Sequence, residues 1–151
     1  MRRLIVAPRR LAGAFAPPGD KSISHRAVIL NGLARGTARV TNLSLGADCT
    51  STIACMKALG VPVHRDTDDP TTLTVEGMDG RLEEPAVLLD AGNSGTTMRL
   101  ISGVLAGQPF FSTITGDRSL RSRPMGRIVT PLRLMGARVD GRGGGTPAPL
   151  A

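Results

Sequence analysis

Apolar residues recur with helical spacing four times along the chain, and each run closes on a glycine. Residues 22–34 carry Ile23, Ala27, Leu30 and Ala34 at i, i+4, i+7 and i+11, and Gly36 stops the run. Residues 49–59 follow Asp48 as a cap, place Cys49, Ile53, Met56 and Leu59 on one stripe, and end at Gly60. Residues 95–106 carry Met98, Ile101 and Leu105 before Gly107. A fourth helix begins at Pro124, a favoured first helical residue, and runs through Ile128, Val129 and Leu132 to Gly136. Pro131 inside it predicts a kink or a late start, because a mid-helix proline costs about 3 kcal/mol.

Strand-like runs fall between the helices, at Thr37 to Asn42, Val61 to Val63, Thr72 to Glu76, Ala86 to Asp90, Phe110 to Thr115 and Ala137 to Asp140. The pattern also repeats. Gly92 and Arg99 echo Gly19 and Arg26 at a shift of 73 residues, and Arg133 to Ala137 echo Lys57 to Val61 at a shift of 76. A period near 75 predicts one βαβαββ unit used twice, about 16–80 and about 81–151, in an α/β (α+β) fold whose second copy stops early.

At 151 residues and 40% hydrophobic content the chain can bury a core of Ala, Leu, Val and Ile. The net charge is +7, and among 19 Lys and Arg only Lys21 and Lys57 are lysine. That surplus favours anionic partners. Nucleic-acid readers interleave cations with aromatic platforms, whereas aromatics here are 2%, with no Trp or Tyr. Cys49 and Cys55 lack zinc, redox or disulfide spacing and read as small buried thiols in a reducing cytoplasm. The apolar Leu4 to Ala7 is too short for a signal peptide or a membrane span.

Charge changes the picture most at three helix starts: Gly19 to Arg26, Gly92 to Arg99, and Gly116 to Arg123. Free N–H groups at a helix start, glycines that allow close approach, and nearby hydroxyls make an anion cradle. Arg adds a two-pronged fork for carboxylate or phosphate. Ser and Asp also serve as ordinary caps, but three basic junctions, two of them at equivalent repeat positions, point to a shared polyanionic ligand. Elsewhere, His25 reads as a helix-surface or supporting group, His64 as surface, and Asp66, Asp68 and Asp69 as a polar turn. No metal motif is present, and Asp20 between Gly19 and Lys21 breaks a P-loop.

The stretches PGDKSISHRAVIL (18–30), GADCTSTIACMKALGV (46–61), DAGNSGTTMRL (90–100) and GDRSLRSRPMGRIVTPLRLMGA (116–137) resemble the EPSP synthase family, the 3-phosphoshikimate 1-carboxyvinyltransferases, over essentially the whole chain. The resemblance implies an enolpyruvyl transferase inside-out barrel, with residues 1–15 as a strand segment of a second domain and 16–151 as a partial substrate-binding domain. It implies transfer of an enolpyruvyl group from phosphoenolpyruvate to the 5-hydroxyl of shikimate 3-phosphate, without metal or organic cofactor, by a cytoplasmic enzyme that is monomeric at full length. By the same resemblance Lys21 contacts both substrates and is the catalytic lysine, Ser22 and Arg26 hold shikimate 3-phosphate, and Gly95 and Arg123 hold phosphoenolpyruvate. Asn93, Thr96 and Arg99 flank the site, and Arg118 or Arg121 are alternatives to Arg123. Leu100, where many members carry proline, aligns the chain with the less glyphosate-sensitive class. The family's acidic proton acceptor and later Arg and Lys ligands fall beyond residue 151, so this chain alone is expected to be inactive. The alternatives are a basic nucleic-acid-binding module and the sister UDP-N-acetylglucosamine enolpyruvyl transferase, whose cysteine in the third junction is missing from 116–124.

Overall fold

The computed structural model describes residue 10 and residues 12–151, so the strand segment expected at 1–15 lies largely outside the described residues. The carboxylate of Asp20 accepts the N–H of Ile23 at 2.7 Å and starts the first helix, α1 (Lys21–Leu33). Strand β1 (Arg35–Val40), helix α2 (Ala47–Ala58) and strands β2 (Val63–Arg65) and β3 (Leu73–Met78) follow. They form an antiparallel sheet in the order β1-β3-β2, in which Val75 lies opposite both Ala38 and Val63. Asp66 and Asp69 build the β2–β3 turn by accepting the backbone N–H groups of Asp68, Asp69 and Thr71, which agrees with a polar loop.

Strand β4 (Leu89–Asp90), helix α3 (Gly95–Leu105) and strand β5 (Ile114–Thr115) come next. β4 and β5 are parallel, which requires a crossover, and α3 supplies it. A short helix α4 (Arg118–Arg121) and then α5 (Gly126–Leu134) complete the chain before a helical turn at 142–145. The interior is one apolar cluster, with Val28, Met56, Leu59, Leu73, Val75, Met98, Ile101, Ile114 and Leu120 at its centre.

The repeat is visible in the hydrogen bonds. α2 and α5 both end with a six-residue loop-back, Val61 N–H to Met56 O and Ala137 N–H to Leu132 O, each at 3.0 Å. Gly60 (φ +88°) and Gly136 (φ +96°) take the left-handed position that this ending needs. Leu150 bridges to Ile114 on one side and Gly141 on the other, as β3 is flanked by β1 and β2.

Three expectations change, and one is met. On α1 the stripe Ile23–Ala27–Leu30–Ala34 is not the buried face: Ile23 is 69% exposed and Leu30 63% exposed, while Ser24, His25, Val28, Ile29 and Gly32 are buried. The helix is turned this way because its polar residues find partners. Ser24 Oγ donates to the Asp20 carbonyl and accepts Ser44 N–H, and His25 Nδ1 lies 2.6 Å from Thr52 Oγ1, so His25 is core rather than surface. Asp48 is not the cap of α2; Gly46 holds that position and Asp48 sits in the first turn. The fourth helix makes the late start that Pro131 allowed, at Gly126 rather than Pro124; Met125 N–H is tied to Thr146 O and the segment before it forms α4. Ala137 to Asp140 forms no strand; Asp140 and Ala151 exchange single N–H···O bonds, too few for a ladder.

The sheet is pinned to α1 at one point. Asp79 and Gly80 N–H groups donate to the carbonyls of Ala34 and Leu33 at 2.8 Å, which brings Gly77 against the end of the helix. A Cβ on Gly77 would overlap the main-chain carbonyls of Ala34 and Asn31. Gly77→Ala should therefore destabilise the chain by about 1–3 kcal/mol. Gly103→Ala, in the interior of α3 with open space around it, should stabilise by roughly 0.5–1 kcal/mol. Urea unfolding midpoints for the two variants check both signs.

Candidate functional site

The first turns of α1, α2 and α3 lie side by side. Cys49 Sγ contacts the Lys21 carbonyl at 3.7 Å, and Thr97 Oγ1 donates to the Asp48 carbonyl at 3.1 Å. Each first turn exposes unpaired N–H groups and carries the positive end of a helix dipole. Lys21 Nζ reaches across to Asp48 Oδ2 at 2.9 Å. That hydrogen bond, and the carboxylate charge behind it, raise the lysine pKa above its ordinary value and keep the ammonium charged. The pair is open to solvent, so it positions the ammonium more than it stabilises the fold.

The second and third junctions meet each other. Asp117 N–H donates to the Gly92 carbonyl at 2.8 Å, Asn93 Nδ2 donates to Asp117 Oδ2 at 2.6 Å, and Arg123 donates to Asn93 Oδ1 at 2.6 Å. The Asn93 amide, followed by Leu120 N–H, holds the Asp117 carboxyl below its usual range. The guanidinium groups of Arg99 and Arg123 converge on the start of α3. A Cβ on Gly95 would sit 3.3 Å from one and 3.2 Å from the other. Arg99 Nε is buried with no hydrogen-bond partner among the described residues. Two like charges and an orphan donor around a helix start are a set of groups that can hold an anion.

The site residues read from sequence are thus partly assembled. Arg123 bonds to Asn93, the tips of Arg123 and Arg99 both lie next to Gly95, and Lys21 is held beside α2. Arg26 folds back on its own helix, donating to the Ser22 carbonyl at 3.0 Å, and both residues are exposed. Thr96 is half-buried on α3. Of the three arginines in the third junction, Arg123 reaches Asn93, while Arg118 and Arg121 are exposed on α4. An apolar concavity lined by Leu105, Phe110, Ile114, Val139 and Leu150 lies toward the far end of α3 and includes no residue of the three junctions.

Sequence reasoning missed Asp48 as the partner of Lys21, and the buried hydroxyls beneath the site. Thr52 Oγ1 lies 2.7 Å from Thr97 Oγ1, which in turn lies 2.8 Å from Ser94 Oγ. A signal was present: Thr52 falls between Cys49 and Ile53 and Met56 on the apolar stripe of α2, where a polar residue needs a buried partner.

Residues 5–151 match the family described as EPSP synthase (3-phosphoshikimate 1-carboxyvinyltransferase). The chain belongs to this family. It is 56% identical over 147 residues to the 3-phosphoshikimate 1-carboxyvinyltransferase of Chloroflexus aurantiacus, covering 97% of this chain and 34% of the relative. It is 58% identical over 152 residues to that of Roseiflexus castenholzii, covering 99% and 35%. The solved EPSP synthase from Acinetobacter baumannii superposes with a TM-score of 0.85 at 42% identity, over 91% of this chain and 31% of that one. The chain spans about a third of the length of these relatives. Its α/β architecture is that of the family, with no closed barrel among the described residues. No helix among them is long and apolar enough to cross a membrane.

Burial of His25 lowers its pKa below the ordinary 6.5, so the folded chain resists a proton that the unfolded chain takes up. Its contribution to stability is complete above about pH 6.5 and is lost as pH falls from there, at a slope of at most about 1.4 kcal/mol per unit. The depressed carboxyls of Asp66, Asp69 and Asp117 act in a separate window, below the ordinary value of 3.8. Urea midpoints should therefore drop between about pH 6.5 and pH 5 in the unsubstituted chain and stay flatter in His25→Asn; parallel pH profiles would refute the assignment.

Proposed function

We propose that this chain is the substrate-binding wall of an enzyme that transfers the enolpyruvyl group of phosphoenolpyruvate to the 5-hydroxyl of shikimate 3-phosphate. The observation that carries the reading is a set of adjacent helix starts with Lys21 held beside α2 and Arg99 and Arg123 flanking Gly95, in a chain of this family. Both substrates are anions. The 5-hydroxyl gives up its proton to a base as its oxygen bonds to C2 of phosphoenolpyruvate and an acid protonates C3, giving a tetrahedral intermediate; loss of a C3 methyl proton and of phosphate then restores the double bond. No metal or organic cofactor is needed.

Lys21 contacts both anions. A compact ammonium serves there because it can both hold charge and pass a proton, which a guanidinium does not. Ser22 and Arg26 hold shikimate 3-phosphate once Arg26 swings off its own helix. Gly95 and Arg123 receive phosphoenolpyruvate, with Asn93, Thr96 and Arg99 around them. Domain closure brings the remaining acid–base groups from the rest of the enzyme. The full-length enzyme acts as a cytoplasmic monomer, and glyphosate, an anion longer than phosphoenolpyruvate, competes at the Gly95 pocket.

For the 151 residues alone, a titration with shikimate 3-phosphate followed by amide shifts should move Lys21, Ser22 and Arg26, with no turnover in a phosphate-release assay. Turnover would overturn the assignment of essential groups to the remainder of the enzyme. Salt-sensitive binding of duplex DNA at physiological salt, without any response to the sugar phosphate, would replace the enzyme by a nucleic-acid module.

In the full-length enzyme, Lys21→Met should lower kcat by orders of magnitude with an unchanged circular-dichroism spectrum. Gly95→Ala places a methyl against the tips of Arg99 and Arg123, so it should raise the inhibition constant of glyphosate more than the KM of phosphoenolpyruvate. Equal losses for both ligands would remove Gly95 from the pocket.

A further inference from the structure

Beneath the three helix starts runs a line of polar side chains that the proposed chemistry does not use. His25 on α1, Thr52 on α2 and Thr97 on α3 are all fully buried. His25 Nδ1 lies 2.6 Å from Thr52 Oγ1, and Thr52 Oγ1 lies 2.7 Å from Thr97 Oγ1. Each threonine has one hydroxyl proton, so the direction of the line can be counted. Thr97 has two groups placed to accept its proton, the Asp48 carbonyl at 3.1 Å and Ser94 Oγ at 2.8 Å. With its proton committed there, Thr97 oxygen faces Thr52 as an acceptor. The Thr52 proton fills that place, which leaves Thr52 oxygen as an acceptor toward His25. Nδ1 must then carry a hydrogen.

This leaves His25 Nε2 as a bare ring nitrogen, and it is the atom that has no partner among the described residues. The opposite direction would bury an unpartnered N–H instead, the rarer kind of orphan. Burial also favours the neutral ring. The line ends on Asp48, whose carbonyl receives the Thr97 proton and whose carboxylate holds Lys21 Nζ at 2.9 Å. Thr97 is two residues beyond Gly95 in the first turn of α3. One end of the line therefore fixes the lysine, and the same residue fixes the glycine opposite it.

We infer that His25, Thr52 and Thr97 are positioning residues of the anion site: a one-way chain of hydrogen bonds, from His25 Nδ1–H through both hydroxyls to the Asp48 carbonyl, sets the spacing between Lys21 and Gly95. The inference rests on reading this site as one that binds anions. The hydrogen-bond direction can be read without any ligand.

The test uses the 151-residue chain labelled with 15N at histidine. Long-range proton–nitrogen correlations at neutral pH should show His25 as the Nδ1–H tautomer. In Thr97→Val the Thr52 proton loses its acceptor and turns to Nδ1, so the ring should switch to Nε2–H; Thr97→Ser should keep the original tautomer. An Nε2–H ring in the unsubstituted chain overturns the proposal, and that measurement needs no variant to fold. Inorganic phosphate is then titrated while the Lys21 and Gly95 amides are followed. Thr97→Val should weaken binding roughly 2- to 10-fold, the worth of one hydrogen bond, and Thr97→Ser should restore it. Unchanged phosphate binding in a folded Thr97→Val chain refutes the positioning role. No phosphate response in the unsubstituted chain refutes the anion site, and the positioning role with it, while the tautomer result still decides the direction of the chain.

Discussion

Three helices that begin side by side concentrate positive charge, and the rest of the structure answers to that constraint. Each helix start carries roughly half a unit of positive charge from its unpaired N–H groups. To these the sequence adds Lys21, Arg26, Arg99 and Arg123. Carboxylates offset part of the excess in different ways. Asp20 and Asp117 cap helices and accept the N–H groups of Ile23 and Leu120, and Asp48 pairs with Lys21. Among the described residues Arg99 and Arg123 form no direct ion pair; Asn93 links Arg123 to the Asp117 carboxylate, and Arg99 Nε has no partner. Charge is paired directly at Lys21 and only indirectly, through Asn93, around Gly95.

The same constraint accounts for the polar interior. Helix ends packed closely must meet through small side chains, and their carbonyls and N–H groups need partners when water is excluded. Ser24, Ser94 and Thr97 are short enough to lie between the helices and polar enough to satisfy those groups. Apolar packing dominates lower down, where Met56, Met98, Ile101 and Val28 fill the space. The chain therefore divides along its helix axes into a polar end that shapes the site and an apolar body that supplies stability.

That division explains what could be read in the sequence. Helices α1, α2 and α3 were legible within two residues at each end, because glycine stops and apolar periodicity act locally. The repeat was legible because its signature, a glycine at a helix ending, is carried by neighbouring residues. The buried face of α1 was not: Ile23 and Leu30 look like core, yet Ser24 and His25 replace them because partners on other elements, Ser44 and Thr52, await them. Asp48 was misread as a cap for a related reason. Its position one residue inside α2 is helical, and its partner Lys21 lies 27 residues away. The start of α5 depended on Met125 meeting Thr146, again a distant contact. Within the site, the junctions were visible as motifs, but which arginine of the third would reach the second depended on where α4 ends, and Arg123 lies just past it.

The arrangement also separates binding from chemistry. An anion held by helix starts is held by main-chain N–H groups, whose placement follows from the fold and needs no partner domain. Proton transfer to carbon is more demanding, because acid and base must lie within hydrogen-bond reach of a reacting atom and away from water. Lys21 is largely open to solvent, and its pKa is raised by Asp48 rather than lowered toward neutrality. In that state it is a good electrostatic anchor and a poor general base. For Lys21 to move a proton, the Asp48 contact has to loosen or its solvent has to be displaced. In the reaction proposed above, the bound anions supply the negative charge that this edge lacks, so Lys21 is an anchor first and a proton carrier only after its surroundings have changed.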